Sequence, residues 1–497
     1  MDKITAPYNF VPLSEKVFFP HWSAQASQDF PFEQGLCGTL DLEIEALTPI
    51  FVRGGEDRGE GLGFFKTPDG RFAIPGSSVR GALRNVVEIA SFAKFRPVGD
   101  ATYGVRDLHN SQLYGSKMSI ISNERGPGAK GAGALVPLVC AGWMMPGPSD
   151  EVPAVIQPCS FAKIEYGYLM QLDSRFNPGR KQSGPDKYKA WNQSLDVRVQ
   201  VSPPRGRDAR PEGFGDYAIV LGLDGRTEGK LVFTGQPSEW SPNRPQARKG
   251  GGKPKHHDFV FYDALDKRVE VTKEVFDAFR FIHSDRGQQD RRREKPNAEW
   301  GHWSKRFDTE RETQVPVFFL VENGRIKSVG LAMMFRLAYQ NSVGTLASRN
   351  QPGRDEGKYD LPETLFGTVP SDDLRRRLDK KNEEAPEALR GRVSFGLALC
   401  EGGKPAGQVR AVLGAPKPTF YPNYVEQNPD PTQPGASPPR DHENKPVYQT
   451  FMDDEARLRG WKRYRPQDAN LKPDLPQKAK EPVISRFQPL AAGAKFR

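Results

Sequence analysis

The chain has 497 residues and a formal net charge of +10, with 72 Lys and Arg against 62 Asp and Glu. That length supports about three domains, and an apolar share of only 36 % beside 49 glycines and 44 prolines implies long loops around modest cores. The four cysteines, Cys37, Cys140, Cys159 and Cys400, lack the spacing of a disulfide framework or a Cys-based zinc site. No stretch has the apolar length of a membrane span and no secretory leader pattern opens the chain, so a soluble, cytoplasmic protein with no membrane partner is expected. The positive balance favours a polyanionic partner.

Residues 1–35 read as an irregular N-terminal arm, rich in Pro and in aromatics such as Phe18, Phe19 and Trp22. From Thr39 to about Val52 the alternation of Leu40, Leu42 and Ile44 with polar residues predicts a half-buried strand. A glycine-rich acidic loop, Arg53 to Gly63, follows, and then Phe64-Phe65 and a turn at Pro68-Asp69-Gly70. Next comes the sharpest motif, Ile74-Pro75-Gly76-Ser77-Ser78-Val79-Arg80-Gly81-Ala82-Leu83-Arg84. Pro-Gly makes the turn, Ser77 or Ser78 suits the N-cap, and Val79, Leu83, Val86 and Ala90 share one face of a helix. The start of a helix offers unpaired N–H groups and the positive end of its dipole, which suits phosphate, and Arg80 and Arg84 add cationic donors. The same features also describe a plain helix cap beside two solvated arginines.

Residues 172–213 are polar and basic, with Arg175, Arg180, Lys181, Lys187, Lys189, Arg205, Arg207 and Arg210, and read as an insertion projecting from the fold or as a solvated loop. Leu231-Val232-Phe233 and Phe259-Val260-Phe261-Tyr262 are strand candidates flanking the cationic loop Arg244 to His257, in which Arg248, Lys249, Lys253 and Lys255 surround Gly250-Gly251-Gly252. Phe276, Phe279 and His283 fall on one helical face. Val315–Leu320 and Ile326–Phe335 flank Asn323-Gly324, a hairpin turn in which both residues tolerate positive φ. Val393, Phe395, Leu397 and Leu399 alternate as a strand, and the prolines of 425–448 suggest a linker before a basic tail. The seven histidines show no ligand spacing, so a zinc site is not expected.

The Ile74–Arg84 motif resembles the first-helix signature of the RAMP superfamily, the RNA-binding proteins of CRISPR systems. Gln112-Leu113-Tyr114-Gly115 and Leu365-Phe366-Gly367 look like the aromatic-glycine step of that family, and Arg390 to Phe395 looks like the strand that follows it. Pro7 to Leu13 and Gly460-Trp461-Lys462-Arg463-Tyr464 are similar to a long subgroup found in type III loci, and Ala491 to Phe496 resembles the start of a further strand there, which suggests a truncated or split C-terminus.

The resemblance implies an α+β fold of two ferredoxin-like, RNA-recognition-type units with long loop insertions: an arm over 1–35, a first unit over 36–227 carrying the 172–213 insertion, a second over 228–424, and a linker and tail over 425–497. It implies an RNA-binding subunit of a type III effector that grips guide RNA, presents its duplex with target RNA and contacts other effector subunits. Expected RNA contacts are Gly76, Ser77, Ser78, Arg80, Arg84, Arg53, Lys66, Arg248, Lys249, Lys253 and Lys255. In backbone subunits of the family an aspartate of the acidic loop supports metal-dependent cleavage of the target. The candidates here are Glu56, Asp57 and Glu60, with Asp57 and Glu60 as holders of Mg²⁺. The expected aspartate position falls near Gly61, beside Glu60, whereas Asp57 stands four residues earlier. Two other readings stay open: a metal-independent ribonuclease that matures guide RNA through a histidine base, and a scaffold without cleavage.

Overall fold

The computed structural model describes residues 8–54, 62–96, 102–108, 110–122, 134–176, 182–235, 255–284, 296–354, 358–370, 375, 387–412, 420–428, 439–440, 444, 447–464 and 484–497. It has an α+β fold, and its contacts gather into two compact units, one of residues 1–100 with 341–497 and one of residues 101–340. This division differs from segments cut at 35, 227 and 424, because strands far apart in sequence pair with one another.

In the first unit, Ala73–Ile74 pairs antiparallel with Ala398–Leu399, and Ile44–Glu45 pairs with Lys495–Phe496. Reciprocal bonds between Leu399 and Arg497, at 2.8 and 2.9 Å, join the two pairs edge to edge. Arg53–Gly54 pairs with Gly63–Phe64 on the other flank, and the Phe65 amide donates to Val52 O. Phe64, Ile74, Ala398, Leu490, Ala494 and Phe496 are buried together between these short strands. Leu490, Ala494 and Phe496 therefore belong to the core, between exposed neighbours such as Lys495 and Arg497. The N-terminal arm is tied down as well: Tyr8–Val11 pairs with Trp461–Tyr464, so the two stretches that resemble the long subgroup lie side by side.

Three expectations for this unit are corrected. The strand expected over Thr39 to Val52 shrinks to Ile44–Glu45, which pairs with Lys495–Phe496, and Leu40 and Leu42 are exposed. Residues 393–397 are not in a strand: Val393 and Leu397 are exposed, and pairing begins only at Ala398. The Gly76–Ala90 helix forms as expected, but Pro75 is its N-cap and no side chain caps it. Its apolar stripe meets the core only through Val79, while Leu83, Val86 and Ala90 are exposed.

The second unit is built on a nine-stranded sheet. Val315–Glu322 and Arg325–Gly330 form the expected hairpin, with Asn323 at φ 51° and Gly324 at φ 73°, although its second strand stops before Phe335. Phe276, Phe279 and His283 are all buried, two of them inside the Lys273–Ile282 helix and His283 at its C-cap. The 172–213 segment is not a projecting insertion. It supplies the Asp196–Val201 strand to the sheet, and Phe176, Trp191 and Val199 to a core shared with Val260 and Tyr262. Lys187, expected on a solvated face, is fully buried: its Nζ lies 2.7 Å from Asp258 Oδ2, 3.0 Å from Tyr166 Oη and 2.9 Å from Thr234 O. Charge in a sequence marks the surface only when no partner is folded in with it.

Candidate nucleic-acid interface

Gly76 opens the signature helix against the backbone of residues 395–396. A Cβ at this position would stand 2.2 Å from Phe395 O and 2.7 Å from Gly396 O, so glycine is what allows the helix to start there. Among the described residues no acceptor meets the Gly76 or Ser77 amide, whereas the Ser78 and Val79 amides turn back to Pro75 O at 2.9 and 3.3 Å. Ser77 and Ser78 are exposed. The result is a fifteen-residue helix that begins with two exposed serines, and with two amides that meet no acceptor among the described residues, at the positive end of its dipole.

Arg80 and Arg84 sit one and two turns further along, and both already have work within the protein. Arg80 Nη2 donates to Phe366 O, Arg84 Nη1 donates to Gly367 O at 3.2 Å, and Arg84 Nε donates to Glu88 Oε1 at 2.8 Å. Phe366 ends the Leu361–Phe366 helix and Gly367 is its C-cap; the Glu363, Thr364 and Leu365 carbonyls accept from Gly367 N, Arg392 Nη1 and Arg392 N, which leaves the Phe366 and Gly367 carbonyls to the two arginines. The two arginines thus cap that helix from the side and dock the aromatic-glycine step onto the signature helix. Burial, opposed by Arg84, raises the Glu88 pKa. Gly367 adopts φ 79°, and a Cβ there would meet Gly391 N and Leu389 O at 2.6 Å.

Arg53 and Lys66 are exposed beside the same core. Arg53 lies opposite Phe64 in its strand pair, and Lys66 Nζ sits 4.8 Å from the Phe72 ring centroid. The pairing of Gly54 with Gly63 holds together the two ends of the acidic loop. Glu56, Asp57 and Glu60 lie outside the described residues, as do Arg248, Lys249 and Lys253. Among the described residues no group of three or more His, Cys, Asp or Glu is arranged to hold a metal ion. Lys255 belongs to the other unit, where its Nζ bonds Asp258 Oδ1 and Thr234 Oγ1, both at 2.6 Å.

An aromatic ribbon in this unit carries weight that only Tyr8 and Gly460–Tyr464 hinted at in the sequence. Lys462 Nζ lies 3.9 Å from the Tyr8 ring centroid and 5.1 Å from that of Tyr464, with Tyr424 at 5.8 Å. On the opposite face of the ribbon, Arg463 Nη1 donates to Asn85 Oδ1 of the signature helix at 2.7 Å.

Residues 43–131 match the family model described as the RAMP superfamily. The chain carries a RAMP-superfamily region. The match spans the first core strand, the acidic loop, the signature helix and the Gln112–Gly115 step, and it supports a CRISPR-associated, RNA-binding role. No curated protein matches the chain. Among the described residues of this RAMP-bearing protein, no helix is long and apolar enough to cross a membrane.

Proposed function

We propose that this protein is an RNA-binding subunit of a type III CRISPR effector complex, built from ferredoxin-like RAMP units, which holds the guide RNA backbone and presents the guide–target duplex beside neighbouring subunits in the cytoplasm. The observation that carries the reading is the helix start, with exposed Ser77 and Ser78 and the Gly76 and Ser77 amides meeting no acceptor among the described residues, inside the segment that matches the RAMP model. Such a start grips phosphate, while base pairing between guide and target reads the sequence. A guanidinium has five N–H donors, so Arg80 and Arg84 retain donors toward a phosphate beyond those that hold Phe366 and Gly367. Exposed Arg53 and Lys66 add charge to the same unit.

A substitution at Ser77 separates this site from mere stability. Ser77→Asp places a carboxylate at the helix N-terminus, which favours the helix but repels phosphate. The variant keeps its melting temperature, binds guide-length RNA at least several-fold more weakly and has a shallower salt dependence than wild type. Unchanged affinity and slope would remove the helix start from the interface.

Target cleavage is the finer part of the proposal. Asp57 and Glu60, with Glu56 beside them, would hold a Mg²⁺ that stabilises the leaving oxygen. The loop that carries them is held at its ends by the Gly54–Gly63 pair.

A further inference from the structure

Five strands of the second unit close on themselves. Tyr217–Leu223 pairs with Asp196–Val201, which pairs with Thr227–Val232, which pairs with His257–Ala264, which pairs with Ala154–Glu165, all antiparallel. A single parallel pairing, Phe161 to Lys163 beside Tyr217 to Ile219, completes the ring. The connection that leaves Ala154–Glu165 carries the helices Tyr166–Leu172 and Gly184–Ala190, and it fills the barrel with Leu169, Phe176 and Trp191. One parallel closure with a helix-bearing crossover after it is the connectivity of an OB barrel whose ends are joined and whose chain is opened between its second and third strands. In OB barrels, oligonucleotides lie across those two strands, flanked by the loop joining the first two strands and the loop joining the last two. The corresponding strands here are His257–Ala264 and Ala154–Glu165, beside Lys255 and His256 at one end and residues 202–216 at the other.

Most of that outer face is closed, because Phe161, Phe259 and Phe261 pack against Phe318 and all four are buried. Its open end is cationic. Lys163 lies opposite Phe259, with its Nζ 5.4 Å from the Tyr217 ring centroid. Arg205 follows the Asp196–Val201 strand, and its amide donates to Tyr217 O at 2.9 Å. The His256 and His257 rings are 5.1 Å apart. Burial and then Arg205 push the Lys163 pKa down to about 8, and burial followed by Lys163, Lys255 and His256 pushes His257 down to about 2. Four carboxylates are near, and Asp216, next to Tyr217, is held by Arg207. Asp258 is taken by Lys187 and Lys255, Glu299 accepts the Gly184 amide at 3.1 Å, and Glu165, opposite His257, is exposed. Among the described residues none of them pairs with Lys163, Arg205 or His257.

We infer that Lys163, Arg205 and His257 form a second RNA contact, a phosphate site for single-stranded RNA on the outer face of an OB-like barrel. The inference rests on the RNA-binding reading of the whole chain, but it uses residues of the other unit. Lys163 and Arg205 supply charge, and His257 supplies a ring N–H.

The test titrates labelled single-stranded RNA against the full chain at several salt concentrations, for wild type, Ser77→Asp, Lys163→Gln and Arg205→Gln. Melting temperatures identify any variant that fails to fold, and loop residue Arg205 provides the safeguard if partly buried Lys163 does not tolerate exchange. Arg205→Gln is expected to weaken binding about three- to tenfold and to reduce the salt slope by about 0.7, the loss of one phosphate contact on a single strand. If Arg205→Gln and a folded Lys163→Gln match wild type while Ser77→Asp weakens binding, the barrel site is refuted and the helix-start reading stands. If the barrel variants weaken binding while Ser77→Asp does not, the helix start is refuted and the barrel site stands. If wild type binds no RNA, both fall. If a mononucleotide or inorganic phosphate displaces RNA from this site with undiminished affinity per phosphate, the site is for a small anion and the RNA assignment is refuted.

Discussion

Lys187 Nζ lies 2.7 Å from Asp258 Oδ2, and neither side chain has any exposed surface. Lys255 approaches the other oxygen of the same carboxylate, so one buried anion serves two ammonium groups. Breaking a buried pair leaves an uncompensated charge, at a cost of about 3–5 kcal/mol. Asp258→Asn is therefore expected to destabilise the protein more than Lys187→Met, because the first strands two cations and the second leaves Asp258 with Lys255. Urea midpoints of the two variants check the order, and the reverse order would show that the network is not held by its anion.

His283 supplies a pH prediction. Burial lowers its pKa from 6.5 to about 4, opposed by its contact with Phe279 O. The unfolded chain takes up the proton below about pH 6.5, whereas the folded chain resists it until about pH 4. Stability from this group is complete above pH 6.5 and is lost as pH falls toward 4, by about 3 kcal/mol at most. His283→Gln should show a smaller drop in urea midpoint between pH 7 and pH 4.5 than wild type; an equal drop would place the acid sensitivity elsewhere.

The docking of the signature helix is open to a geometric test. Gly76→Ala sets a methyl group 2.2 Å from Phe395 O, which backbone cannot absorb, so a loss of about 2 kcal/mol or more is expected. Arg84→Lys keeps the charge but gives up the two-sided hold on Gly367 O and Glu88, at about 1 kcal/mol. Thermal melts of both variants check this. A fully stable Gly76→Ala would mean that the helix does not start against residues 395–396.

Target cleavage by the carboxylate loop carries its own prediction. In the assembled complex, chelation with EDTA and the Asp57→Asn substitution should each reduce cleavage of target RNA at least a hundredfold while RNA binding persists. Cleavage that survives EDTA would favour a histidine base, and cleavage untouched by substitutions at Glu56, Asp57 and Glu60 would take this loop out of the chemistry.

What could be read from residues alone was local. The Gly76–Ala90 helix, the Asn323-Gly324 hairpin, the Phe259–Tyr262 strand and the buried face of Phe276, Phe279 and His283 each depend on spacing or turn chemistry within a few residues. The Ile74–Arg84 signature also pointed to the family that residues 43–131 match. What failed were readings of residues whose partner, or lack of one, lies far away in sequence. Leu40 and Leu42 alternate like a strand, yet among the described residues no strand pairs with them; Lys187 looks solvated, yet Asp258, seventy-one positions away, neutralises it.

Arg80 and Arg84 make the same point at the candidate site. Their four-residue spacing announced a cationic stripe, and chain geometry sufficed for that. Only the tertiary fold could bring the Phe366 and Gly367 carbonyls to them across more than 280 residues of sequence, or close five strands into a barrel through a pairing between Ala154–Glu165 and Tyr217–Leu223. Helix and turn preferences are settled by neighbours along the chain. Partnership between distant charges and strand edges depends on which surfaces collapse together, and no local pattern encodes it.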